Sequence, residues 1–83
     1  MSVHKEITKH ANKQHQTVKA FFELDEQREA VIEKVVAKAQ AQEPFSTDEI
    51  NDITEKINEL AKSGITPQRK YITPTMVLDY VKN

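Results

Sequence analysis

The sequence predicts an all-α domain, and three observations carry that prediction. Glycine occurs once in 83 residues, against an ordinary usage of about 7%. Residues 2–43 contain neither glycine nor proline, and their apolar residues recur at helical spacing. Two later segments each open on a hydroxyl residue suited to an N-cap and carry an apolar face behind it.

The first element covers residues 3–42. Val3, Ile7, Ala11, Val18, Phe21, Phe22, Val31, Ile32, Val35, Val36 and Ala39 follow the helical period, and Pro44 sets an outer limit. Uninterrupted, such a helix would be about 60 Å long at 1.5 Å per residue. A compact globule of this chain length has a radius of gyration of only about 12 Å. The segment is therefore either one long helix or a helical hairpin broken near residues 23–27.

The second element is a helix over 47–62. Ser46 suits the N-cap and Glu49 stands three residues on, as in a capping box. Phe45 and Ile50 hold the two positions of a hydrophobic staple, and Ile50, Ile53, Ile57 and Leu60 mark one face. Gly64 falls where a left-handed residue closes a helix, with Ile65 placed to touch Leu60. Residues 65–72 form a connector. A short helix over 74–82 follows, with Thr73 at its start, Pro74 in the first helical position and Ile72 with Val77 as a second staple. A helix this short must dock on something larger. The length of the chain allows a single domain, 1–83.

A heptad register fits the first element. Its a positions are His4, Ala11, Val18, Asp25, Ile32 and Ala39, and its d positions are Ile7, Gln14, Phe21, Arg28, Val35 and Gln42. The seam is apolar at both ends and charged at Asp25 and Arg28. Folding it back about that middle pairs Phe21 with Ile32, Val18 with Val35 and Asp25 with Arg28. A hairpin makes those pairs within one chain, and an antiparallel homodimer makes them between two, as in a domain swap. Poor turn chemistry at Glu23-Leu24-Asp25-Glu26 favours the continuous helix and the dimer. Mean helix length, about 11–12 residues, favours the hairpin. Self-association is thus expected through Val18, Phe21, Asp25, Arg28, Ile32 and Val35.

Composition narrows function. With no cysteine there is no disulfide and no thiolate site. One glycine cannot furnish the phosphate cradles of nucleotide-binding loops. No apolar run exceeds three residues, so neither a membrane span nor a signal peptide is expected, and the expected location is the cytoplasm. No nucleophile elbow is present, and no catalytic residue, cofactor or small-molecule substrate is expected. His4, His10 and His15 cluster, but at intervals of six and five they do not share the spacing of helical metal ligands. No metal site is expected of them.

Charge is uneven along a nearly neutral chain. Lys5, Lys9 and Lys13 form a stripe within a segment of net +3 (residues 1–22), whereas residues 43–59 carry net −5. The stripe either faces solvent or contacts phosphates or an acidic protein. Arg69-Lys70-Tyr71 in the connector could grip a phosphate or stack on a base, or could pack its aromatic under the loop. The expected partner is a second copy or another protein. Weak nucleic-acid binding through Lys5, Lys9, Lys13, Arg69 and Lys70 is the alternative.

The opening Met-Ser-Val-His-Lys, the Lys13-Gln14-His15 step, Phe21–Ala30, Pro44–Leu60 and Arg69–Thr73 together resemble the small uncharacterised YpbS-like proteins of Bacillus-type bacteria. The resemblance spans nearly the whole chain. It implies a helical bacterial protein and brings no residue roles. The sequence reading is therefore a non-enzymatic helical protein for interaction or self-association.

Overall fold

The computed structural model describes the backbone of residues 2–82 and the side chains of residues 14–82. Three helices follow in order: α1 (Ser2–Gln40), α2 (Asp48–Ala61) and α3 (Pro74–Lys82). No strand occurs among the described residues. α1 runs through residues 23–27 without a break, so the hairpin does not form. The molecule measures 61 × 20 × 17 Å, with a radius of gyration of 17.2 Å. A 39-residue helix sets that length. α2 spans only about 21 Å and α3 about 14 Å, so they brace one part of α1.

The core sits over the second half of α1. Phe21, Val31, Val35 and Ala39 meet Ile50, Ile53 and Ile57 of α2 and Val77 of α3, all buried. Ile50 and Ile57 are fully enclosed. Phe45 and Ile72 pack against the edge of this cluster from the positions expected of the two staples.

α1 ends four residues before Pro44, through its own backbone. Gln42 adopts a left-handed conformation, φ 60°. Its N–H donates to the Ala39 carbonyl at 3.1 Å, and the Glu43 N–H donates to the Lys38 carbonyl at 2.9 Å. That pair of bonds satisfies the last carbonyls in the way a glycine-closed helix does. Only the absence of glycine hid it.

α2 begins at Asp48, and the Ser46 hydroxyl accepts the Asp48 N–H at 3.1 Å. The expected capping box therefore does not form: Thr47 precedes the helix with no side-chain cap bond, and Ser46 makes a short hydroxyl turn on the first helical residue instead of reaching Glu49. At the other end, Gly64 has φ 79°. The chain reaches it through three tightening turns, with the Lys62, Ser63 and Gly64 N–H groups donating to Glu59, Leu60 and Ala61 carbonyls. Ile65 stays 43% exposed rather than sheltering on Leu60. At α3 the Thr73 hydroxyl accepts the Met76 N–H at 3.2 Å, as an N-cap before a first-turn proline should.

Candidate functional site

Two features stand out: a polar latch that ties the connector down, and an apolar groove that the latched connector helps to form. The latch starts from Asn51 and Asn58, seven residues apart on α2 and so on one face, two turns from each other. Asn58 Oδ1 accepts the Arg69 N–H at 2.8 Å, and its Nδ2 donates to the Arg69 carbonyl at 3.1 Å. Asn51 repeats the pattern on Ile72, with Oδ1 accepting the Ile72 N–H and Nδ2 donating to the Ile72 carbonyl, both at 2.8 Å. Two turns of helix and three residues of extended chain both span about 10 Å. The two side-chain amides thus act as a template for the connector backbone.

α1 grips the same segment from the other side. Arg28 Nη2 donates to the Lys70 carbonyl at 2.9 Å, and Arg28 Nε donates to Thr54 Oγ1 at 2.9 Å. Thr54, fully buried, in turn donates to the Ile50 carbonyl at 2.9 Å. Arg69 Nε donates to Asp25 Oδ1 at 3.1 Å, and its guanidinium carbon lies 5.2 Å from the centroid of the Phe21 ring. Burial draws the Arg28 pKa down from the usual arginine value, Asp25 pushes it back up, and Arg69 adds to the lowering. Arginine remains charged at neutral pH regardless.

These contacts account for the charged middle of the heptad seam. Asp25 and Arg28 face inward where the connector crosses α1, and both are bonded within their own chain. Phe21 and Val35 are buried in the core, while Val18 and Ile32 are half-buried. Of the basic residues singled out in the sequence, Arg69 belongs to the latch and Lys70 is exposed. The side chains of Lys5, Lys9 and Lys13, and of His4 and His10, lie outside the described residues. His15 is exposed.

Asn51, Thr54 and Asn58 went unnoticed in the sequence. A signal was present: three polar residues at i, i+3 and i+7 beside an apolar face require partners. What the sequence could not supply was the identity of those partners, 11 to 26 residues away.

The groove lies between α1 and α3 and holds about 360 Å³. Ile32, Val36 and Ala37 form one wall, Met76, Val77 and Tyr80 the other, and Ile72 is brought to it by the latch. Met76 is 46% exposed and Tyr80 70%. Glu33 and Gln40 stand at its α1 side. Among the described residues, no helix is long and apolar enough to cross a membrane.

The family described as "Protein of unknown function (DUF2533)" matches residues 1–83. A curated relative, "Uncharacterized protein YpbS" of Bacillus subtilis (strain 168), is 51% identical over 79 residues, covering 95% of this chain and 93% of the relative. No solved structure matches.

Proposed function

This chain belongs to the DUF2533 family of proteins of unknown function, and we propose that it works without catalysis, as a helical module that binds another protein chain. The observation that carries this reading is the apolar groove between α1 and α3. Small monomeric domains rarely leave large contiguous apolar patches in water. Here Met76 and Tyr80, both lining the groove, remain exposed on a nine-residue helix that packs on α1.

The polar side chains with defined geometry support the same reading. Asp25, Arg28, Asn51, Asn58 and Arg69 are engaged in holding the connector, which positions Ile72 and α3 as one side of the groove. Their work is structural, and what it creates is an apolar surface.

Ala37→Glu tests the proposal, because Ala37 lines the groove yet is itself exposed. The immobilised wild-type chain should retain a protein from a Bacillus extract, whether a second copy or a different one. The variant, with an unchanged helical circular dichroism spectrum, should retain much less. Equal retention by the two, or none by the wild type, overturns the reading.

A further inference from the structure

The face of α1 that leads to the groove is self-complementary, and we infer that it pairs antiparallel with the same face of a second copy, about a two-fold axis at Phe22. This rests on the interaction reading above and names the partner.

Phe22 lies near the middle of α1 (Ser2–Gln40) and is 63% exposed. Its neighbour Phe21 is buried, with the two rings tilted and their centroids 5.6 Å apart. A large aromatic in water at the midpoint of a long helix is where a two-fold axis can bury it against its own copy. The charges on either side fit that axis. Val18, Lys19 and His15 precede Phe22 at helical spacing, and Glu26, Glu29 and Glu33 follow it on the same face. All but Val18 are exposed. One side of Phe22 therefore carries a lysine and a histidine, and the other three glutamates.

An antiparallel copy centred on Phe22 sets each position 22 − k opposite 22 + k of its partner. Lys19, at 22 − 3, then comes within one position of Glu26, at 22 + 4, on the same flank of the contact, and His15 faces Glu29 at 22 ± 7, each pair formed twice. A parallel pairing would instead set Glu26, Glu29 and Glu33 against themselves.

The length of α1 completes the fit. Residues Ile32–Gln40, which border the groove, lie 10 to 18 positions beyond Phe22. The segment opposite them is residues 4–12 of the partner. The sequence places Ile7 and Ala11 in that stretch of α1. The partner's helix would thus close each groove as a fourth helix, leaving the core seam of Phe21, Asp25, Arg28 and Val35 within its own chain.

Sedimentation equilibrium of the full chain, with circular dichroism to verify folding, tests this. The wild type should be a dimer at micromolar concentration, loosening as salt rises. Phe22→Glu should be monomeric. Lys19→Glu and Glu26→Lys should each weaken the dimer about tenfold, through two pairs lost and two repulsions gained. The double variant Lys19→Glu/Glu26→Lys should recover most of that loss. A monomeric wild type, a dimeric Phe22→Glu, or a double variant no tighter than either single one overturns the pairing. If the wild type is monomeric yet still retains a different protein that Ala37→Glu loses, the interaction reading stands and this one falls.

Discussion

Asn58→Ala removes half of the latch at a single position. The substitution deletes two hydrogen bonds, to the Arg69 N–H at 2.8 Å and to the Arg69 carbonyl at 3.1 Å. Each is worth about 1 kcal/mol in a half-buried setting. Alanine also suits a helix better than asparagine by about 0.6 kcal/mol, which offsets part of the loss. The net destabilisation should be about 1.4 kcal/mol, a factor of ten in the folding equilibrium. For a domain of this size that corresponds to a fall in melting temperature of about 6–11 °C. Urea denaturation measures it, and the exchange rate of the Arg69 amide locates it. Asn58→Asp keeps the acceptor but sets a carboxylate against the Arg69 carbonyl, so the Arg69 amide should stay protected while stability still drops. A loss below about 0.3 kcal/mol for Asn58→Ala, with Arg69 exchange unchanged, would refute the argument that the side-chain amide holds the connector.

Three further substitutions follow from local geometry. Gln42→Gly should stabilise the chain by about 0.5–1 kcal/mol, because glycine adopts φ 60° without the penalty that a side chain carries there; chemical denaturation measures the gain. Thr66 is buried, and its hydroxyl has no hydrogen-bond partner. Thr66→Val keeps the shape and removes that polar group, so it should raise the melting temperature, by about 1 kcal/mol of stability. Gly64→Ala should lower stability by about 1 kcal/mol through φ 79° alone, since a methyl group there would meet nothing within 4 Å. Gly64→Ser should then cost nearly the same, which separates backbone strain from crowding.

The helices could be read from the chain because their signals are local. Pro74 behind Thr73, Ser46 before the Ile50 face, and Gly64 after it act within a turn of themselves, and the structure places each close to its expected position. The end of α1 was less legible, since a left-handed glutamine has no compositional mark. The choice between hairpin and continuous helix turned on turn chemistry against mean helix length, and in both the sequence pairs Asp25 with Arg28. Their partners are Arg69, the Lys70 carbonyl and Thr54, up to 44 residues away. A heptad pattern registers that a face is interrupted. It carries no record of the segment that fills the interruption.

The latch also bears on how the domain opens. Closing the contact between Asp25 and Arg69 orders a loop of more than forty residues, an entropic demand that few side-chain bonds must meet. The α1–α2 pair holds fully buried isoleucines, Ile50 and Ile57. Residues 66–82 should therefore lift away at lower free energy than global unfolding, which faster amide exchange there than at Ile50 and Ile57 would register. Because Ile72, Met76, Val77 and Tyr80 leave with it, the groove exists only while that unit is seated. Whatever occupies the groove will slow amide exchange in the connector without touching it.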